Sequence, residues 1–210
     1  MRPSRRQSLK EIEMPAIAIA YHSGYGHTAR IAETIATGAR NAGAHVELVK
    51  VDAITDAGWQ TLDQADAIIF GAPTYMGGAS AQFKTFEDAT VGRWVKRSWS
   101  GKLAAGFSNS GSPSGDKLST LLQIFLFAQQ HGMLWHGLNL LPSEHPTGDN
   151  FVSRDALNRL GGFAGLLTQA NNDAPENTFT PGDLKTAELF GAGIADTAAK
   201  LTTLALAVGQ

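Results

Sequence analysis

Apolar and polar positions along this chain alternate between short buried runs and longer amphipathic ones. AIAIA at 16–20 is small and β-branched, which suits a strand covered on both faces. The strand breaks into Ser23-Gly24-Tyr25-Gly26-His27-Thr28, after which Ile31, Ile35 and Ala39 recur at helical spacing. HVELVKV at 45–51 reads as a second strand ending at Asp52, and AIIFGA at 67–72 as a buried third, with a short helical turn at 59–66 between them. Strands four and five are expected at 103–107 and 133–138. One intervening helix, with Ser80 as N-cap, carries Phe83 and Phe86 on its core side. A second, with Asp116 as N-cap, places Leu118, Leu121, Leu122 and Phe125 on one face and closes at Gly132.

Residues 139–180 lack strong periodicity and read as an insertion after strand five. Thr180-Pro181-Gly182-Asp183 then has the grammar of a helix start. The last helix buries Leu184, Ala187, Gly191, Ile194, Ala198 and Leu201. Five strands alternating with helices predict an α/β fold, a doubly wound five-stranded parallel sheet in the order 2-1-3-4-5. Polar loops follow strands one, three and four, so all three meet at the carboxyl edge, where such sheets bind ligands.

Composition narrows the chemistry. The absence of cysteine excludes disulfides, thiolate zinc sites and cysteine nucleophiles. A formal charge of −2 gives no reason to invoke nucleic acid or an anionic membrane. No apolar run approaches the roughly 20 residues that span a bilayer, and a cytoplasmic protein is expected. Residues 1–13 form a basic arm, read as a mobile tail, with the folded domain at 14–210. His136 and His145 have no partners at metal-ligand spacing, so no metal site is expected. His22 reads as a hydrogen-bonded core histidine.

The first loop combines glycines, hydroxyls and a helix N-terminus, which together make an anion site. GYGHTA also fits the G-x-G-x-x-A dinucleotide fingerprint, with Asp52 as a ribose-binding carboxylate. A dinucleotide fold needs mainly that one loop. Here 73–78 and 108–115 are equally rich in Gly, Ser, Thr and Asn, which favours one planar ligand held on three sides, flavin mononucleotide.

Four ordered motifs strengthen this reading: SGYGHT (23–28), FGAPTYMGGASAQFKTF (70–86), GKLAAGFSNSGS (101–112) and HGM (131–133). On them, across residues 16–138, the chain resembles the WrbA family of flavodoxin-like NAD(P)H:quinone oxidoreductases. The resemblance implies that Ser23, Gly24, Tyr25, Gly26, His27 and Thr28 hold the FMN phosphate. Pro73, Thr74, Tyr75, Met76 and Gly77 would lie against the ring system. Asn109, Ser110, Gly111, Ser112, Pro113 and Ser114 would wrap its pyrimidine side, and His131 would reach the flavin. Tyr25 and Trp94 would border the substrates, NAD(P)H and a quinone-like acceptor. The family's sites are completed across subunits, so a homo-oligomer, a tetramer, is implied. Tyr75 stands where the best-known members have Arg, Ser110 where many have Thr, and Pro113 stiffens the third loop. No catalytic acid–base pair is expected, because in a flavoenzyme the ring performs the chemistry. A flavodoxin-type electron carrier and a regulatory flavoprotein are the alternatives.

Overall fold

The computed structural model describes residues 14–145 and 152–208; the basic arm expected at 1–13 lies outside the described residues. β1 (Ala16–Tyr21), α1 (His27–Asn41) and β2 (His45–Lys50) open the chain. A 3-10 turn at Val51–Ala53, α2 (Asp56–Gln64) and β3 (Ala67–Tyr75) follow. Next come a two-residue β4 (Gly78–Ala79), α3 (Ala81–Ala89), α4 (Val91–Val95) and β5 (Leu103–Ser110). The chain continues through α5 (Lys117–Gln130), β6 (Leu134–His136), β7 (Leu166–Gln169), α6 (Pro175–Thr178) and α7 (Pro181–Val208).

The expected parallel α/β architecture is present, but its sheet has seven strands rather than five, with the path β2-β1-β3-β5-β6. β4 folds back antiparallel on the end of β3. The larger correction concerns the outer edge of β5. β6 covers only Leu103 to Ala105, and β7 covers Phe107 to Ser110, also in parallel. The supposed insertion after strand five therefore returns to the sheet. LLTQ is too short to show a strand period, yet the far half of β5 carries backbone groups that need partners.

β3 and β5 also run three residues past their expected ends, because their polar tips stay in register, Ala72 with Ser108 and Pro73 with Asn109. Thr74 Oγ1 lies 2.7 Å from both Ser108 Oγ and Thr120 Oγ1, and Ser108 Oγ donates to the Ala72 carbonyl at 2.8 Å. Hydroxyls thus satisfy one another where apolar residues would ordinarily continue the strand.

Apolar side chains pack on both faces of the sheet. One cluster joins Ile17, Ile19, Ile31, Ile35, Phe107, Phe190 and Ile194, and so ties α1 and α7 to the strands. The other joins Phe70, Phe83, Phe86, Trp99 and Ile124. The inward face of α5 shares Leu121 with the one its leucines suggested but is turned from it: Leu121, Ile124 and Ala128 are buried, whereas Leu118 and Leu122 are exposed. The helix is apolar on two sides, so periodicity alone could not choose. Thr180 caps α7 by accepting the Asp183 N–H at 3.1 Å, as its sequence indicates. Ser80 and Asp116 occupy their expected N-cap positions without a side-chain cap bond.

α1 and α7 touch backbone to backbone through glycines. A Cβ on Gly38 would overlap the Glu188 carbonyl oxygen, and one on Gly191 the Ile35 carbonyl oxygen. Gly191→Ala should therefore lower the urea midpoint with an unchanged m value. Overpacking costs about 1–3 kcal/mol, which outweighs the up to about 1 kcal/mol gained by removing a helical glycine. A raised midpoint would show that the two helices part without cost.

Candidate functional site

A cleft of about 590 Å³ opens at the carboxyl edge of the sheet. Its walls are Ser23, Tyr25, His27 and Thr28 after β1, Pro73 to Tyr75 at the end of β3, Asn109 to Gly111 at the end of β5, and residues 170–175 after β7. The first wall is built for an anion. Gly26 occupies the N-cap of α1 at φ 87°, a left-handed conformation, and offers no side-chain cap. No acidic residue sits in the first turn. Its leading N–H groups and the positive end of the helix dipole are thus suited to negative charge. Ser23 Oγ accepts the Ala29 N–H at 3.1 Å, which leaves its own proton to donate.

Two neighbours press this loop into shape. His27 Nε2 lies 2.9 Å from the Asp173 carbonyl oxygen, and a Cβ on Gly26 would come within 2.7 Å of Pro175. On the other side, the Tyr75 hydroxyl sits against Gly24, where a Cβ would lie 2.8 Å away. Tyr25 and Tyr75 meet edge to face with centroids 6.2 Å apart. Burial pushes the Tyr75 phenol up from its ordinary pKa, with the nearby Tyr25 adding to the rise. The opposite wall is polar but uncharged. Thr168 Oγ1 donates to Asn109 Oδ1 at 3.2 Å, and Gln169 Nε2 donates to the Gly111 carbonyl at 3.2 Å.

Most of the sequence-predicted residues converge on the cleft. Gly24 and Gly26 do not line it themselves but sit in its first loop, where Tyr75 and Pro175 press close against them. Met76 and Gly77 do not line it: Met76 is fully exposed at φ 49°, and the Gly77 carbonyl accepts from Ser119 Oγ. Ser112, Pro113 and Ser114 also stand outside it, with the Ser112 and Pro113 carbonyls accepting from Lys117 Nζ. Asp52 lies in the 3-10 turn 3.9 Å from Lys50 Nζ and does not reach the cleft, so the dinucleotide reading loses its ribose ligand.

His131 and Trp94 lie together elsewhere, in a second groove of about 420 Å³ between α3, α4 and α5. His131 is buried, with Nε2 2.9 Å from Thr90 Oγ1 and its ring between Trp99 and Phe127. Neither residue lines the cleft of its own chain. His22 behaves as expected, buried with Nδ1 2.7 Å from Ser80 Oγ, and that bond occupies the hydroxyl that would otherwise cap α3. Residues 170–175 were missed. Their signal was Asn171-Asn172-Asp173 before Ala174-Pro175, the same turn grammar as the other three loops.

Comparison with known proteins places this geometry. The flavodoxin domain matches residues 18–113. Flavodoxin FldP of Pseudomonas aeruginosa is 42% identical, across 87% of this chain and 96% of its own. The chain belongs to the flavodoxin family. An NAD(P)H dehydrogenase (quinone) of Archaeoglobus fulgidus is 31% identical over 90% of this chain and all of its own. The crystal structure of a flavodoxin, WrbA-like protein from Agrobacterium tumefaciens superposes with TM-score 0.69 at 39% identity, covering 89% and 98%. These findings bear out the WrbA-type resemblance carried by the four motifs. The cofactor is FMN, and the cleft fits it: an acid-free helix N-terminus for the phosphate, uncharged hydroxyl and amide edges, and two tyrosines offering flat faces.

Burial holds the His131 imidazole down at about 4, with Arg97 adding to the fall. Its pKa is lower in the folded than in the unfolded chain, so as pH falls the unfolded chain takes up the proton first. Stability should drop as pH falls from about 6.5 through about 4, by roughly 3 kcal/mol in all. A pH series of urea unfolding checks this. His131→Gln should flatten that acid limb, and an unchanged limb would assign it to other groups.

Proposed function

We propose that this flavodoxin-family protein is an FMN-dependent oxidoreductase that passes two electrons from NAD(P)H to a quinone-like acceptor by a ping-pong mechanism. Supporting this reading are relatives named NAD(P)H dehydrogenase (quinone), 31–33% identical along 88–90% of this chain. The observation that carries it is the cleft itself, whose mouth is flanked by Tyr25, 76% exposed, and Tyr75, 38% exposed. Such aromatic faces suit a nicotinamide or a quinone ring. All parallel strands among the described residues belong to one sheet, so no second nucleotide-binding unit is at hand. Donor and acceptor would then use one face in turn, which is the basis of ping-pong turnover.

When bound, FMN supplies hydride acceptance and onward electron transfer at its ring. The protein's part is to hold and orient. Ser23 and the first N–H groups of α1 grip the phosphate, and the Gly24–Tyr75 contact joins the phosphate loop to the ring end. Thr74, Asn109 and Ser110 border the ring edge, where uncharged dipoles stabilise negative charge at little reorganisation cost. Trp94 and His131 would reach a flavin only in another subunit. Leu118, Leu122 and Leu126 form an exposed stripe on α5, beside exposed Val91, Trp94 and Val95. That surface supports a homo-oligomer, a tetramer by analogy with the resembled family. A cytoplasmic location accords with the finding that no helix among the described residues is long and apolar enough to cross a membrane.

The second reading, an electron carrier, draws on the 42% identity to Flavodoxin FldP. Anaerobic stopped-flow mixing with NADH and NADPH separates the two. Direct bleaching of the flavin, with parallel double-reciprocal plots and competitive inhibition by excess quinone, is expected. A flavin that neither nucleotide reduces would overturn the enzyme reading in favour of the carrier. Light scattering at micromolar concentration should give a tetramer.

Phosphate recognition has its own test. Ser23→Ala should weaken FMN binding about tenfold, the equivalent of one charge-assisted hydrogen bond, while leaving the weak binding of riboflavin unchanged. Equal losses for both ligands would move the phosphate away from this loop.

A further inference from the structure

Beneath the third loop sits a lysine that the reaction scheme does not use. Lys117 opens α5 with its side chain turned inward, and only 1% of it is exposed. Its ammonium donates to Ser110 Oγ at 2.9 Å, to the Ser112 carbonyl at 2.7 Å and to the Pro113 carbonyl at 3.0 Å. All three protons are therefore committed to one short loop. To close around the cation, the chain takes two successive left-handed residues, Gly115 at φ 50° and Asp116 at φ 53°. A Cβ on Gly115 would overlap Ser110 Oγ, so the loop is wound tightly on itself.

The charge has no counter-ion among the described residues. Among the described residues no carboxylate lies within ion-pair distance of Lys117. Its charged neighbours are Asp183 and Arg159, which pair with each other at 2.8 Å and largely cancel. A buried cation held only by hydroxyl and carbonyl dipoles is costly, and a hydrophobic side chain would fill the space more cheaply. Ser110, the first of its three acceptors, also lines the cleft, which brings the positive charge to within one residue of that cavity.

We propose that Lys117 is a positioning residue for the flavin: it fixes the loop at the ring end of the cleft and favours the ring in its reduced, more negative form. This rests on the FMN reading above and adds a residue to it. Opposite charge explains the direction. Reduction adds negative charge to a ring whose edge is bordered by Asn109 and Ser110, and a desolvated cation behind Ser110 attracts that charge strongly. The attraction is reciprocal, so reducing the flavin makes the ammonium harder to deprotonate. Burial draws the Lys117 pKa down to about 8, with Arg159 adding to the fall and Asp183 opposing it. The device is thus charged at neutral pH and lost in mild alkali.

The test compares the full-length parent with Lys117→Met and Lys117→Arg, using FMN affinity by fluorescence quenching and the two-electron midpoint potential by dye titration. Lys117→Met should bind oxidised FMN about tenfold more weakly and reduced FMN weaker by a further tenfold. That extra factor lowers the midpoint by about 30 mV. Lys117→Arg keeps the charge and should restore most of the potential, which a merely structural role for the side chain would not do. Should Lys117→Met fail to fold, the parent alone decides, since its midpoint should fall further with rising pH above about pH 8 than does that of free FMN. A parent whose midpoint tracks free FMN from about pH 7 to about pH 9.5, or a Lys117→Met protein with unchanged affinity and potential, would overturn the inference alone. A parent that binds no FMN would overturn the functional reading and this inference with it.

Discussion

The outer edge of β5 is the constraint on which this structure turns. A strand paired on one side only carries a row of unsatisfied N–H and C=O groups on the other, and these must find partners when buried. β6 supplies them for the amino half and β7 for the carboxyl half, with the chain between leaving the edge and returning to it. That return delivers residues 170–175 to the rim of the cleft, where Asp173 and Pro175 shape the loop after β1. Without β7 the cleft would have three walls.

The return is anchored by electrostatics rather than by apolar packing alone. Arg159 donates from Nε and Nη2 to both carboxylate oxygens of Asp183, at 2.8 and 3.0 Å, and Asp183 also accepts the Gln169 N–H at 3.2 Å. Asp183 is only 3% exposed, so removing either partner would strand a buried charge. The same acid belongs to the cap signal of α7. In the structure its backbone N–H answers Thr180, while its side chain holds β7 and the segment before it. One residue thereby couples the start of the last helix to the edge of the site.

Polarity is graded across the cleft. The helix end at α1 provides directional N–H groups for a dianion, while the β3 and β5 tips provide a chain of hydroxyls linked at 2.7 Å. None of the cleft-lining residues is Lys or Arg. A buried cation, Lys117, is kept behind the third loop, with its ammonium bonded to Ser110 Oγ. The helix N-terminus and the chain of hydroxyls thus stand on different walls of the cleft.

Much of this was legible in the chain itself. The strand runs at 16–20 and 67–72 are apolar throughout, the glycines and hydroxyls of 23–28 mark a strand-to-helix turn suited to an anion, and ordered motifs tie them to one family. These features are local: each depends on a few consecutive residues and their intrinsic geometry. What the tertiary structure decided was pairing. LLTQ becomes a strand only because β5 offers it an edge, and the buried face of α5 is chosen by what the sheet presents, not by its leucines. Ser80 fails to cap because His22 reaches its hydroxyl across 58 residues, a competition no local pattern records. His131 stands in a family motif, yet it packs with Trp94 in a second groove away from the cleft, because a motif preserves residue order and leaves open which cavity a side chain lines. Short-range physics is written in the sequence, whereas partners distant along the chain are settled only when the whole core closes.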